Sequence, residues 1–347
     1  MKIHLGHHFF GAGNLGDDLM LAGFLTGMAE FLPAARFTCS IPFPPEPCRS
    51  RFPQITWLPY EEAARARAIA EADVWLGLGG SPFQSALSRW FVDHLGAETE
   101  FCRRHGKPMY FLGVGVQETG ELADDTARTV CAGSRHIWTR DSASAERLLA
   151  CRGCGGVTAS ADLSHLFLAR CRPPAARNGR LCVVLNFDHR TWRGRDDALG
   201  GLEVLGAREN VWLVQESRRL PGAEIDLHAS LDERRQAYWK LTQPEKPGAP
   251  LESVIADWPS GEWLLTARYH SALLGAWAGS KIVVVGINEK LKSVAREICV
   301  PTVTEDSASD EVIRALRVAT INTAPLASLE RARAACLDFV RRAASGT

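Results

Sequence analysis

The chain carries no excess of either charge: 40 Lys and Arg balance 40 Asp and Glu over 347 residues. A protein held to nucleic acid by global charge is thereby excluded, although a local basic cleft is not. No run approaches the roughly 18 consecutive apolar residues that span a bilayer. No secretory leader is expected, since Met1-Lys2-Ile3-His4-Leu5-Gly6 reads as a short strand feeding a glycine-rich loop. The expected location is the cytoplasm, with attachment to the inner face of a membrane left open and the ten cysteines reduced. Internal repeats and low-complexity tracts are absent. Cys151-Arg152-Gly153-Cys154 has no second pair at ligand spacing, so no zinc site is expected. These cysteines end a helical stretch, where the dipole disfavours a thiolate, and they read as a helix stop built on Gly153, Gly155 and Gly156.

What is present suffices for two apolar cores, with 46% hydrophobic and 23% charged residues. Strand-like runs alternate with helical patterns, the signature of parallel α/β units. Strands are expected near 2–9, 36–41, 73–78, 109–114, 135–139 and 157–161, with helices near 17–32, 61–72, 84–105, 121–132 and 142–151. A second set of strands is expected at 181–186, 210–215, 262–266, 281–286 and 299–303. The stretch from Cys171 to Gly179 has the Pro, Asn and Gly of a linker. The reading is therefore a first domain over 1–170, a linker over 171–180, a second domain over 181–324 and a C-terminal helix over 325–347. That helix places Leu329, Ala332, Cys336, Phe339 and Val340 on one side. Its Arg331, Arg333, Arg341 and Arg342 read as a solvated face, with membrane docking the other reading. The fold class is α/β, two Rossmann-like domains facing a cleft, with ligands at the carboxyl ends of the strands.

Several motifs fall at those strand ends. Gly11-Ala12-Gly13-Asn14-Leu15-Gly16 satisfies G-x-G-x-x-G, but Asp17 and Asp18 follow at the helix N-terminus and would repel a pyrophosphate. A nicotinamide dinucleotide is therefore not expected. Asp17 either caps the helix, addresses sugar hydroxyls together with Asn14, or serves as a base toward one of them. His7 or His8 ends the first strand, and only one of the two can face a site. Gly77-Leu78-Gly79-Gly80 and Gly113-Val114-Gly115 offer close backbone approach to a ligand or plain tight turns. Arg140-Asp141-Ser142 is either a structural pair at a helix start or an anion contact through Arg140. The densest block is Thr266-Ala267-Arg268-Tyr269-His270-Ser271, where an apolar strand gives way to a small-residue helix, followed by a buried strand and Asn288-Glu289-Lys290. Arg, His and Lys at a strand end that opens a helix suit a phosphate or carboxylate.

Taken together, Gly13-Asn14-Leu15-Gly16-Asp17, the Gly77–Gly80 loop, Gly113–Val116, Arg140-Asp141-Ser142, Asp162 and Arg268-Tyr269-His270 followed by Lys290 resemble the polysaccharide pyruvyl transferase family. The resemblance spans roughly residues 3 to 298. It implies a fold like that of GT-B glycosyltransferases, with a C-terminal helix packing back on the first domain. It also implies transfer of pyruvate from phosphoenolpyruvate to two hydroxyls of a sugar, polysaccharide or lipid-linked glycan, in cell-envelope polysaccharide biosynthesis. On that reading His270 is the candidate acid or a phosphate ligand, and Asp17 a candidate base. Arg268, Lys290 and Arg140 are the candidate anion contacts, while Asn14, Gly16, Gly79, Gly80 and Gly115 line the substrate side. No cofactor and no metal are implied; phosphoenolpyruvate is the donor substrate. Three positions depart from the family pattern: Tyr269 where an aliphatic residue is common, and Leu163 and Lys281 where proline is common.

Two other readings stay open. One is a GT-B glycosyltransferase using a nucleotide sugar, whose E-x7-E spacing Glu289 and Glu297 reproduce, but after the strand where the motif belongs before it. The other is a catalytically silent glycan-binding relative.

Overall fold

The computed structural model describes residues 1–6, 9–84, 89–151, 153–186, 195–217, 223–321 and 325–346. His7 and His8 lie outside them. The chain divides into two compact units. The first comprises Met1–Ala12, Asp17–Phe167 and Ala327–Thr347; the second comprises Leu168–Leu326 together with Gly13–Gly16.

The first unit is built on seven parallel strands, β1 (Lys2–Leu5), β2 (Arg36–Ile41), β3 (Ile55–Pro59), β4 (Val74–Leu78), β5 (Met109–Val114), β6 (Ser134–Thr139) and β7 (Gly156–Ala159). Their order is β3-β2-β1-β4-β5-β6-β7, so the chain reverses direction across the sheet between β1 and β4. β4 and β5 are buried along their whole length, as their continuous apolar runs require. Helix α1 (Leu15–Phe31) is apolar on nearly every side and correspondingly buried, with Leu19, Met20, Phe24 and Met28 all closed to solvent. It comes so close to its neighbours that a Cβ on Gly23 would lie 1.8 Å from the Leu163 carbonyl oxygen. At Gly27 the helix meets Cys336 of the C-terminal helix α15 (Pro325–Ser345), which packs on this unit. Phe339 of α15 stands edge-on to Tyr110 and Trp138, and Asp338 accepts the Trp138 indole N–H at 3.1 Å. Arg333 pairs with Glu30, so part of the basic face read as solvated is engaged within the unit.

The second unit repeats the plan with six parallel strands, β8 (Arg177–Val184), β9 (Glu209–Leu213), β10 (Lys240–Thr242), β11 (Gly261–Thr266), β12 (Lys281–Val285) and β13 (Thr302–Val303), in the order β10-β9-β8-β11-β12-β13. Its reversal falls between β8 and β11, where Val184 stands in register with Thr266. In such sheets ligands bind outside the carboxyl ends at the reversal. β8 begins at Arg177, inside the stretch whose composition reads as linker, because its first residues are exposed and polar while only Leu181–Val184 are buried. β3 and β10 were not anticipated. β3 alternates buried and exposed residues and ends in proline, and β10 is three residues long.

Two outcomes follow from this packing. Gly23→Ala drives a Cβ into backbone that cannot yield, and urea unfolding should show a loss of about 2–3 kcal/mol or more. Gly120→Ala, which meets nothing within 4 Å, should change stability by no more than about 0.5 kcal/mol. His136 is held below its ordinary range, to about 4, first by burial and then by Arg342, against the opposing pull of Asp338. The folded state thus keeps His136 neutral while an unfolded chain protonates it near pH 6.5. This contribution is complete above pH 6.5 and is lost as pH falls toward 4. Thermal melts across that range should show the decline, and His136→Gln should flatten it.

Candidate active site

The Gly13–Gly16 loop is held in the second unit by backbone bonds. Ser217 donates its N–H to the Gly13 carbonyl at 2.7 Å, Leu15 donates to the Gln215 carbonyl at 3.3 Å, and Asn14 forms an antiparallel bridge with Glu216. The Asn14 carboxamide oxygen accepts the Gly16 N–H at 3.0 Å and lies 3.5 Å from the Gln215 amide nitrogen. Gly16 rests against His270: a Cβ there would lie 2.1 Å from the imidazole Nδ1. His270 is the second residue of helix α12 (Tyr269–Ala278) and is 4% exposed. The sequence breaks into a helix here because Arg268 takes an extended N-cap conformation, its N–H bonded to Thr266 Oγ1 at 3.0 Å, and a run of small residues follows. Ser271 ties the same turn to Gln215 at 2.7 Å.

Arg268 is already paired. Its Nε donates to Glu224 Oε1 at 2.6 Å and its Nη2 to Glu216 Oε2 at 3.1 Å. Both carboxylates are buried, and the Arg268 side chain is 12% exposed. Burial pushes the Glu224 carboxyl above its usual range even though Arg268 pulls the other way. Arg268, a candidate anion contact in the sequence, is thus engaged by two carboxylates within its own unit. It fixes the Glu216 bridge to Asn14 and the α12 turn, with two of its five N–H donors spent. Glu216 and Glu224 were missed because they lie 52 and 44 residues away in sequence. Tyr269 explains one departure from the family pattern. Its hydroxyl donates to Glu297 at 3.1 Å and its ring lies 5.9 Å beneath Lys290 Nζ, at the start of helix α13 (Glu289–Glu297). Glu289 pairs with Lys292 and Arg296, so the two glutamates of the E-x7-E spacing have separate local partners. Lys281 pairs with Glu262 and sits over Trp263.

A second cluster forms in the first unit at the ends of β4, β5 and β6. Gly79, at φ 64° and with Met20 sulfur 2.6 Å from the place of a Cβ, suits glycine alone. The Gly115 N–H bonds the Gly80 carbonyl at 2.8 Å. Arg140, 2% exposed, lies against the bare Gly115 backbone and donates to Ser81 Oγ at 3.1 Å. Asp141 caps the following helix through Ser144 and stands 3.8 Å from Arg140, so its part is structural. Glu121 joins this cluster unannounced by any motif. Burial raises its carboxyl to about 7, with Glu118 adding and the Gln117 N–H, Arg140 and Arg147 opposing. A carboxyl poised there suits proton transfer.

The remaining candidates separate. Asp17 occupies the first turn of α1 and is half-buried. Asp18 is fully buried, accepting the Gly11 N–H at 2.6 Å and pairing with Arg51 at 2.5 Å; it holds the glycine loop. Asp162 accepts the Ser164 N–H at 2.9 Å, just before a short helix over Ser164–Arg170. Leu163, beside it, fills the space that a side chain at Gly113 would occupy. Among the described residues no group of three or more His, Cys, Asp or Glu is arranged to hold a metal, and no helix is long and apolar enough to cross a membrane.

Arg268→Ala should cost about 3 kcal/mol, because it strands two buried carboxylates. Adding Glu224→Gln to that variant should restore about 1 kcal/mol or more, measured as a double-mutant cycle in urea.

The chain matches known structures over its full length. It aligns with HepE of Anabaena bound to UDP-glucose at a TM-score of 0.63 and 10% identity, covering 100% of both chains. Sucrose-phosphate synthase of Thermosynechococcus elongatus aligns at 0.63 and 11%, again over 100% of both. UDP-GlcNAc 2-epimerase of Methanocaldococcus jannaschii aligns at 0.59 and 10%, over 98% of both. At these identities the likeness establishes the fold, that of GT-B glycosyltransferases and epimerases. No curated protein matches the sequence. The family model of polysaccharide pyruvyl transferases matches residues 14–237, more than half of the chain, and ends before the Arg268–Lys290 block. The loop that opens at Asn14 and the two glycine-lined strand ends fall within that match, and the chain belongs to the polysaccharide pyruvyl transferase family, as a transferase.

Proposed function

We propose that the protein moves the pyruvyl group of phosphoenolpyruvate onto two hydroxyls of a sugar or glycan, as a cyclic ketal, and releases phosphate. The observation that carries this reading is the meeting of the Asn14–Gly16 loop with His270 at the reversal of the second sheet. It joins a segment inside the family match to the Arg268–His270 turn outside it.

The reaction needs a cationic site for phosphate and carboxylate, a proton for the methylene carbon and a base for the attacking hydroxyl. Lys290 and the positive end of the α12 dipole supply the positive field. His270, placed in that turn, delivers the proton to the methylene carbon as one sugar oxygen bonds to the adjacent carbon. Departure of phosphate leaves an oxocarbenium-like centre that the second hydroxyl captures. Asp17, next in the chain after Gly16, takes a hydroxyl proton. The Asn14 oxygen is engaged by Gly16, so its sugar contact comes from the Nδ2 donor. Arg268 positions the turn through Glu216 and Glu224 and keeps its spare donors for the anion. Arg140 and Glu121, in the first unit, belong to the acceptor side. The reading calls for no cofactor and no metal.

Incubation with phosphoenolpyruvate and a panel of free and lipid-linked glycans should release phosphate and add to one acceptor the mass of pyruvate less one water. His270→Gln should lower kcat about 100-fold or more while the protein stays folded. Release of UDP from UDP-glucose, with phosphoenolpyruvate untouched, would replace this reading with glycosyl transfer.

A further inference from the structure

The part of the first sheet formed by β1, β2 and β3 carries an open cavity of about 430 Å³ that pyruvyl transfer leaves unused. Helix α3 (Glu62–Glu71) forms one wall. It presents Ala64, Arg67, Ala68 and Glu71 to the gap, the i, i+3, i+4, i+7 stripe of a single helix face. The other wall is sheet. Thr38 of β2 stands in register with Thr56 of β3, and Leu58 follows Thr56 on the same face. Short side chains on both walls leave the gap open. Two alanines on the helix and two threonines on the sheet stand where larger apolar residues would close it to the usual packing density.

The rim of this cavity is cationic. Lys2 and Arg36 stand in register on neighbouring strands, and Arg67 joins them from the helix; all three are exposed. Among the described residues none of these three side chains is held in an ion pair. Glu71 is the one carboxylate of the lining, and Asp73, outside it, accepts the Lys2 main-chain N–H at 2.8 Å. Like charges side by side on adjacent strands repel, and a bound anion relieves that repulsion. Three cations against one carboxylate leave an excess of two positive charges. A phosphomonoester, near −2 at neutral pH, matches that excess, and guanidinium forks suit its oxygens. A single carboxylate would leave one positive charge over. Leu58, Pro59, Ala64 and Ala68 give the same cavity an apolar surface for the rest of the ligand, at a volume within the range of small-molecule sites.

We propose that this cavity binds a lipid monophosphate, an apolar chain ending in a phosphomonoester. Arg36 and Arg67 hold the phosphate, Lys2 adds a third positive charge, and the chain lies between α3 and the β2–β3 face. The site is contained within the first unit and holds whether or not pyruvyl transfer is the reaction.

The test is calorimetric titration of the full-length protein with decyl phosphate below its micelle concentration, beside inorganic phosphate and decyltrimethylammonium. Decyl phosphate should fill one saturable site, and each of the other two should bind at least about tenfold more weakly. The double variant Arg36→Ala, Arg67→Ala should lose at least about tenfold in affinity while melting at an unchanged temperature, because both side chains are exposed. Ala64→Leu, which fills the gap without touching a charge, should weaken binding to a similar degree. Inorganic phosphate binding as tightly as decyl phosphate would remove the apolar part of the proposal and overturn it. Equal binding of the cationic chain would overturn the electrostatic part. Absence of decyl phosphate binding, or binding unchanged in both variants, would also overturn it.

Discussion

The site rests on a missing side chain. Gly16 has no Cβ, and the space where one would stand is taken by the imidazole of His270. That contact, with the Ser217–Gly13 and Leu15–Gln215 backbone bonds, makes four residues from the start of the chain part of the second unit. Any larger residue would push the loop off α12 or turn the histidine away. The Asn14–Glu216 bridge, the Arg268 pairings and the placement of His270 therefore share one steric condition.

Electrostatics then decides which charges are available. The second unit buries two carboxylates against one guanidinium, and burial holds Glu224 above its usual range against the pull of Arg268. The first unit buries Arg140 against a bare glycine with a hydroxyl for a partner and a carboxyl raised to about 7 nearby. Cations that look equivalent in sequence thus differ. Arg268 is paired with two buried carboxylates, Lys290 rides on an aromatic ring held by Glu297, and Arg140 lies against Gly115 with Ser81 as a hydroxyl partner.

The fold was legible where burial is complete. Continuous apolar runs gave β4, β5 and β12, and the amphipathic pattern gave α15, because both faces or one clean stripe meet a core. β3 escaped because an edge strand keeps polar residues on its exposed side, and the start of β8 because its first residues are solvent-exposed and polar. The glycine loops and the Arg-x-His turn were legible because their demands are local: a tight backbone, a helix start. The partners were not. Arg51 for Asp18, and Glu216 and Glu224 for Arg268, are brought together only by tertiary folding, and nothing in local spacing announces them. Two aspartates side by side illustrate the limit, since Asp18 is locked in the loop while Asp17 stays half-exposed.

The central claim is that the His270–Lys290 turn receives phosphoenolpyruvate, and calorimetric titration tests it most directly. The wild-type protein should bind phosphoenolpyruvate saturably, and Lys290→Ala, melting at an unchanged temperature, should bind it at least about tenfold more weakly, the loss of one desolvated charge contact. Saturable binding of UDP-glucose with no heat from phosphoenolpyruvate, with or without the glycan acceptors present, would contradict the account.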